Sequence, residues 1–198
     1  MTRILILKIS IFILLININT KSIAQWQTIY HPWDISSTLP NLKSVYFFDY
    51  NNGMAVGSAG VVKTNDSGNK WIPQAYGVLS STHFIDENIG FMVGRLGVFS
   101  SKGIIVKTND GGNSFILPNY NSVFGLNDVF FINNDTGYAV GDSGTVLKTI
   151  DNGNNWILVD TITTTNLYSV YFPSIDTGYI VGDSGAVLKT TNGGSNWT

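Results

Sequence analysis

The 198-residue sequence predicts an all-β protein, and two observations support this prediction. A sixteen-residue segment recurs four times without gaps, and each copy is followed by a second motif of eight residues. Within the repeats, short runs of β-branched and aromatic residues alternate with turns rich in Gly, Asn and Asp, a pattern typical of short strands joined by tight turns. Beyond the N-terminus, no window places apolar residues at helical spacing. The longer segments are 42–57, 79–94, 126–141 and 167–182.

The last repeat shows how one unit divides into strands. Residues 167–172 are β-branched and aromatic and predict a first strand, 178–181 predict a second, and 186–190 predict a third. The Asn-Gly-Gly sequence at 192–194 predicts a hairpin turn, because Asn and Gly tolerate positive φ, and Trp197 then opens a fourth strand. Four short antiparallel strands in roughly 40–45 residues are typical of one blade of a β-propeller.

We therefore predict a β-propeller of four-stranded antiparallel blades, of which four are present. We interpret these as an incomplete part of a larger ring, with further blades or a sorting domain beyond residue 198. Alternatively, the four blades close on themselves, and residues 26–29 supply the outer strand of the last blade, which would remove open sheet edges. The blades lie near 42–78, 79–125, 126–166 and 167–198, with 25–41 as a detached outer strand and linker.

The first 24 residues predict an export signal. Arg3 and Lys8 give a positive start, an apolar run follows, and Ser22 and Ala24 are the small residues of a cleavage site. A membrane anchor is the alternative, but the uninterrupted apolar run is shorter than the roughly 20 residues that a spanning helix needs. Cleavage would leave residues 25–198 as a secreted, periplasmic or cell-surface protein with no membrane segment.

The composition excludes several classes of function. Without cysteine, the chain has no disulfide scaffold, thiol nucleophile or cysteine-based zinc site. Signal cleavage would leave eight basic and thirteen acidic residues and a net charge of −5, so nucleic acid is not expected as a partner. The two histidines are far apart, and the Asp-containing turns lack the closing Glu of a calcium loop. We therefore predict no metal site and no cofactor.

The eight-residue motif has the consensus T-x-[DN]-x-G-x-x-[WF], starts at intervals of 44, 41 and 41 residues, and always follows a Lys. Its Asp or Asn can accept backbone N–H bonds in the turn, its Gly supplies an unusual backbone conformation, and its aromatic ring can pack between blades. We interpret the preceding Lys as a solvated strand residue rather than part of a charged ring on a concave face. The structural positions are Asp66, Gly68, Trp71, Asp110, Gly112, Phe115, Asp151, Gly153, Trp156, Asn192, Gly194 and Trp197.

This motif resembles the Asp-box, S/T-x-D-x-G-x-x-W, of the bacterial-neuraminidase-repeat propellers. With the surrounding pattern V-x-F…G-Y-x-V-G-x-x-G-x-[VL]-K-T, the chain looks most like the photosystem II assembly and stability factors and their secreted bacterial relatives. The resemblance covers residues 42–198 and implies a propeller fold and a protein-binding role. It also implies an arginine-bearing basic patch, which a mature chain with one Arg cannot form, so photosystem assembly is not expected.

Asp-box enzymes provide the alternative functions. By resemblance a sialidase would need three arginines, and the mature chain has only Arg95, with Glu87 as its one Glu. A glycoside hydrolase with a carboxylate pair stays open as an alternative, although several of the acids occupy repeat-equivalent turns. The G-D-S-G sequences at 141–144 and 182–185 resemble a serine-protease motif, but they recur where turns are expected.

A lengthened hairpin in the second unit is where the repeat breaks. It extends the segment before the Asp-box to thirteen residues, 95–107, against six or seven elsewhere, and it is apolar where the other turns are polar. Because binding often occurs in loops on a rigid scaffold, we predict a partner-contact loop formed by Arg95, Leu96, Phe99 and Lys102. The sequence thus predicts a secreted, non-catalytic propeller that binds a protein or glycan partner. The alternatives are a fragment of an Asp-box glycoside hydrolase or a structural module of a cell-surface adhesin.

Overall fold

The computed structural model of the chain describes residues 41–198, except 59, 76, 119, 121–123 and 160–162. The described residues all belong to one compact unit. They form four antiparallel sheets of three or four strands, here called blades one to four in chain order. The predicted all-β propeller architecture is confirmed. The predicted signal peptide and the detached strand before residue 41 lie outside the described residues.

Each blade is a meander in which strands that follow one another in the chain are hydrogen-bonded neighbours. The strands of blade one are β1 Leu42–Phe47, β2 Gly53–Gly57, β3 Gly60–Thr64 and β4 Ile72–Ala75, and those of blade two are β5 Val78–Phe84, β6 Gly90–Arg95 and β7 Gly103–Thr108. The strands of blade three are β8 Leu126–Phe131, β9 Gly137–Gly141, β10 Val146–Thr149 and β11 Ile157–Leu158, and those of blade four are β12 Leu167–Tyr171, β13 Gly178–Gly182 and β14 Val187–Thr190. Single-turn 3-10 helices follow β9 and β13, at Asp142–Gly144 and Asp183–Gly185. In the part of the chain that the structure describes, no helix has the length and apolar character needed to cross a membrane.

Blades one and three have a fourth strand, of four and two residues, and in each of the other two blades the described residues include one residue pair at this place. Lys107 and Ile116 exchange two backbone hydrogen bonds in blade two, and Lys189 and Thr198 do the same in blade four. Both pairs keep the register of the longer blades, where Lys148 lies opposite Ile157. The Lys before each Asp-box is therefore the point at which the outer strand always pairs.

The hydrophobic cores lie between neighbouring blades. β9 shows why, because it is buried over its whole length and its alternate side chains serve two different neighbours. Tyr138 and Val140 belong to the cluster shared with blade four, whereas Ala139 belongs to the cluster shared with blade two. Three such clusters join the four blades in sequence. A blade thus buries its apolar surface only when another blade stands against it.

In blades one to three the repeated Lys also joins blades, so its interpretation as a solvated strand residue is wrong there, whereas Lys189 of blade four is exposed. Lys107 is 4% exposed, and its Nζ donates to the backbone carbonyl of Asn152 at 2.7 Å and to the side chains of Asn152 and Asn154 at 2.8 and 3.1 Å. Burial lowers the pKa of Lys107, partly offset by the charge of Asp151. Equivalent bonds run from Lys63 to the carbonyl of Gly111 and from Lys148 to that of Gly193.

Candidate functional site

The Asp-box is a hairpin whose interior is fixed by a Thr and an Asp of its own sequence. The hydroxyl of Thr149 donates to Oδ1 of Asp151 at 2.9 Å and accepts from the backbone N–H of Gly153 at 3.0 Å. The same carboxylate oxygen accepts from the backbone N–H of Asn155. In blade four the amide oxygen of Asn192 takes the place of the carboxylate, with the corresponding bonds at 2.9 and 3.0 Å. The turn therefore needs an acceptor at this position and does not need a charge.

The Asp-box carboxylates have pKa values that favour the ionised form. Hydrogen bonds from the side chain and backbone of Ser114 lower the pKa of Asp110 to about 2. The pKa of Asp66 is lowered chiefly by the backbone N–H of Lys70, and that of Asp151 chiefly by the side chain of Asn155. A general acid must hold its proton near neutral pH, so these carboxylates suit structural capping rather than proton donation.

The aromatic residue of the Asp-box anchors the hairpin in the core between blades. Trp156 is buried, and its indole N–H donates to the carbonyl of Gly153 at 3.1 Å. Its ring meets Phe131 of its own blade edge-on at 5.8 Å and Phe91 of the preceding blade at 6.2 Å. Trp197 makes the equivalent pair of contacts in blade four.

The Asp-box glycine also packs directly against a large side chain of the preceding blade. Gly153 has φ of +68°, and a Cβ added there would overlap the ring of Phe91. At Gly194 the overlapping group would be the ring of Tyr138, whose hydroxyl donates to the carbonyl of Gly193. Met54 occupies the same place over Gly112. The sequence pattern indicates only the turn role of this glycine, because the side chain it contacts lies in another blade.

The lengthened hairpin of blade two spans residues 96–102 and projects at the end of the blade opposite to the Asp-boxes, since successive strands alternate in direction. The backbone N–H of Leu96 donates to the carbonyl of Lys102 at 3.0 Å, which closes the loop at its base. Leu96 and Val98 are mostly exposed, and Phe99 is fully exposed. Lys102 is exposed beside them. Three of the four predicted contact residues are thus exposed on one hairpin, with Leu96 and Lys102 at its base and Phe99, beside Val98, at its turn.

The fourth predicted contact residue, Arg95, lies at the end of β6 and contacts the next blade. Its guanidinium pairs with the carboxylate of Asp142 in blade three, and Asn127 donates to the other oxygen of that carboxylate at 3.1 Å. On the other strand of the hairpin, the hydroxyl of Tyr120 donates to the carbonyl of Gly103 at 2.8 Å. Arg95 therefore holds the base of the loop against the neighbouring blade.

Comparisons with known proteins agree with this geometry. Residues 115–191 match the family model described as photosynthesis system II assembly factor YCF48. The structure of YCF48 bound to a D1 peptide aligns with a TM-score of 0.52 and 15% identity over 80% of this chain and 82% of that one. Residues 115–191 are thus similar to the photosystem II assembly factor family, and the described chain has the β-propeller fold of these structures. A search of curated proteins found no significant match.

Two further structures share the fold with this propeller. YCF48 from Cyanidioschyzon merolae aligns with a TM-score of 0.57 and 22% identity over 75% of this chain and 50% of its own. The GH74 enzyme from Niastella koreensis aligns with a TM-score of 0.63 and 19% identity over 79% of this chain and 29% of its own. The propeller thus spans half of one relative and less than a third of the other, and at these identities the likeness concerns the fold.

One carboxylate missed by sequence analysis joins the inner strands of three blades. Oδ1 of Asp128 in β8 accepts from the hydroxyl of Ser81 in β5 at 2.7 Å. Its Oδ2 accepts from the hydroxyl of Ser169 and the backbone N–H of Val170 in β12, at 2.9 and 3.0 Å. The sequence does contain a sign of this site. The third residue of the sixteen-residue repeat is Ser in three copies, Ser44, Ser81 and Ser169, and Asp128 in the other.

The remaining candidate groups have structural surroundings. Burial lowers the pKa of His83, opposed by the charge of Asp128, and its ring lies 5.1 Å from that of Phe130. The G-D-S-G sequences form the two 3-10 turns, in which Ser143 and Ser184 have positive φ. Among the described residues, no cluster of three or more acidic or His side chains could hold a metal ion.

Replacing Thr149 by Val is expected to destabilise the propeller, because the buried N–H of Gly153 loses its acceptor. An unsatisfied buried donor costs roughly 1–3 kcal/mol of unfolding free energy. Thr149→Ser keeps the hydroxyl and is the matched control. Urea unfolding monitored by tryptophan fluorescence measures both. Equal stability of Thr149→Val and the parent chain would show that the hydroxyl does not hold the turn.

Proposed function

We propose that this chain is a secreted, non-catalytic β-propeller scaffold that binds a protein partner through the hairpin 96–102. The observation that carries the proposal is the exposure of three apolar side chains, Leu96, Val98 and Phe99, on this one hairpin. The corresponding turn of blade three is a single turn of 3-10 helix with the sequence Asp-Ser-Gly. An apolar tip in place of a polar turn increases the apolar surface in contact with water, and a partner that covers it would recover that free energy.

The base of the hairpin is suited to binding because it is fixed on both sides. Arg95 pairs with Asp142 of the next blade, and Tyr120 bonds to Gly103 from its own blade. A loop held at its base loses less conformational freedom when a partner binds, so more of the contact energy becomes affinity. An exposed aromatic side chain such as Phe99 is of the kind that often dominates the binding energy of protein interfaces.

A protein is favoured over a glycan as the partner. The exposed large side chains of the hairpin are mostly apolar, whereas sugar rings need hydrogen-bonding groups as well as an aromatic face. Lys102 is the one titratable side chain in the hairpin 96–102. The related YCF48 has been solved with a D1 peptide bound, which supports a protein-binding use of this kind of propeller.

The electrostatics of the Asp-boxes support a scaffold without catalytic activity. The carboxylates of Asp66, Asp110 and Asp151 have lowered pKa values and are hydrogen-bonded within their own turns. A glycoside hydrolase needs one carboxyl group that stays protonated to donate to the leaving group. The likeness to GH74 enzymes extends to the fold, and the glycoside hydrolase interpretation has no carboxyl pair to support it among these turns.

A photo-crosslinking experiment tests the loop. p-Benzoylphenylalanine in place of Phe99 is expected to capture one discrete protein when the producing cells are irradiated. The same probe in place of Tyr50, which is exposed on a turn of blade one, is the matched control. The crosslink at position 99 should disappear when excess unlabelled chain competes and persist when excess Val98→Asp, Phe99→Ser chain is used. Equal crosslinking at both positions, or competition by both chains, would contradict the loop as a binding site.

Secretion is tested separately by the N-terminus of the protein. The chain is expected outside the cytoplasm with an N-terminal sequence that begins near Gln25, because the first 24 residues predict a cleaved export signal. Edman degradation or mass spectrometry of the fractionated protein measures this. A chain that keeps Arg3 and Lys8 in the cytoplasmic fraction would contradict the proposed location without affecting the fold.

A further inference from the structure

A polar cavity of about 230 Å³ lies between blades one and two, at the end of the blades that carries the Asp-boxes. Blade one contributes its β1–β2 turn and Lys63 of β3, and blade two contributes its β5–β6 turn and its Asp-box. The hairpin 96–102 joins β6 to β7 at the opposite end of blade two, so the cavity is separate from the proposed protein-binding loop. The volume is below the roughly 300–1,000 Å³ of sites for drug-sized molecules, which limits a guest to about one ring.

The cavity exists because this interface lacks a side chain that the next interface has. Gly111 is the repeat-equivalent of Asn152, and both residues have positive φ, +63° and +58°. Between blades two and three, the side chain of Asn152 donates to the carbonyl of Asn134 at 2.7 Å and accepts from Nζ of Lys107 at 2.8 Å. Gly111 has no side chain to make either contact, so the corresponding space between blades one and two stays open.

The interface of blades three and four also has a glycine at this position, but a different group compensates there. The hydroxyl of Tyr138 and Nζ of Lys148 both donate to the carbonyl of Gly193. In blade one the counterpart of Tyr138 is Met54, whose thioether has no proton to donate. The interface of blades one and two therefore lacks both of the polar side chains that complete the other two interfaces.

The same substitutions leave Lys63 with a hydrogen-bond donor to spare. An ammonium group has three donors, and Nζ of Lys107 uses all three, on the backbone carbonyl of Asn152 and on the side chains of Asn152 and Asn154. Nζ of Lys63 makes two such bonds with the described residues, to the carbonyl of Gly111 at 2.9 Å and to Oδ1 of Asn113 at 3.0 Å. Because Lys63 lines the cavity, its third donor can serve a guest.

The other lining groups are mostly acceptors. Glu87 and Asn88 of the β5–β6 turn are exposed, and both can accept hydrogen bonds inside the cavity. On the blade-one side, hydrogen bonds from the side chain and backbone of Asn52 lower the pKa of Asp49, which keeps this carboxylate ionised. Phe48 is half-buried and adds an aromatic ring to the lining. The cavity thus combines an ammonium donor, carboxylate and amide acceptors, and one aromatic side chain.

We propose that this cavity binds one neutral sugar ring. Lys63 donates to an oxygen of the sugar, Glu87 and Asn88 accept from neighbouring hydroxyl groups, and Phe48 contacts the apolar C–H groups. A sugar hydroxyl both donates and accepts, so a polyol can satisfy a lining that mixes an ammonium group with carboxylates and amides. The lining carries three carboxylates, those of Asp49, Glu87 and Asp110, against one ammonium group, and this excess of negative charge disfavours acidic sugars.

Two-dimensional NMR of the ¹⁵N-labelled chain tests the proposal, with methyl β-glucoside, methyl β-galactoside and methyl α-mannoside added in turn. At least one of them is expected to shift the backbone amide signals of Asn88, Gly111 and Asn113 in a saturable way, with a Kd in the range of roughly 1–10 millimolar. The amide signals of the hairpin 96–102 are expected to stay unchanged. Glucuronic acid is expected to bind at least about fivefold more weakly than the best neutral glycoside, because its carboxylate meets the acidic lining.

Two variants of the cavity and one control outside it make the test specific. Glu87→Gln removes a charged acceptor from an exposed turn and is expected to weaken binding about fivefold. Gly111→Asn supplies the side chain that blade three has at Asn152 and is expected to abolish binding. Asp135→Asn removes a charge from the equivalent turn of blade three and is expected to bind like the parent chain. An added Cβ at Gly111 lies 2.8 Å from the carbonyl of Glu87, so circular dichroism checks the fold, and Glu87→Gln serves without any backbone shift.

Disaccharides with the same sugar at the non-reducing end separate the two sources of such a ring. The end of a glycan binds in both forms, whereas a free monosaccharide site accepts the single ring alone. Absence of saturable shifts with all three neutral glycosides would overturn the proposal. Binding that Glu87→Gln and Gly111→Asn both retain unchanged, or glucuronic acid that binds more tightly than every neutral glycoside, would overturn it equally.

Discussion

The structure depends on the contact between one large side chain of each blade and the Asp-box glycine of the next. Met54, Phe91 and Tyr138 occupy the places over Gly112, Gly153 and Gly194. The same glycines have positive φ, which fits them to the hairpin, so a single position satisfies both the turn and the neighbouring blade. The hairpin in turn is fixed by the Thr and the Asp or Asn, and its aromatic ring closes the core. The geometry of the turn and the packing between blades therefore depend on the same residues.

Much of this fold could be predicted because its information is local and repeated. Adjacent strands of a meander are joined by short turns, and the turn residues of the last repeat identify its strands within about one residue. The repeated Lys could not be assigned from sequence, because Lys107 is buried by Asn152 and Asn154 of the following blade. A strand pattern shows which residues alternate, but it does not show which distant turn will cover them.

The same limit applies to the candidate site. The lengthened hairpin could be found in the sequence because it interrupts a regular repeat, and its exposed Phe99 followed from an apolar residue in a turn. The role of Arg95 could not be found, because its partner Asp142 lies 47 residues away in the next blade. The structural role of Asp128 likewise depends on its hydrogen bonds with Ser81 and Ser169, which lie close to it only when the three blades are packed together.

The unfolding free energies of Gly153→Ala and Gly68→Ala test the central claim most directly. Both glycines have positive φ, +68° and +83°, so both variants suffer the same kind of backbone strain, roughly 1–2 kcal/mol. Only Gly153 carries a ring of the preceding blade, and overpacking there adds roughly 1–3 kcal/mol. We expect Gly153→Ala to lose at least about 1 kcal/mol more than Gly68→Ala. Equal losses would show that the glycine serves the turn alone and that the contact between blades does not depend on it.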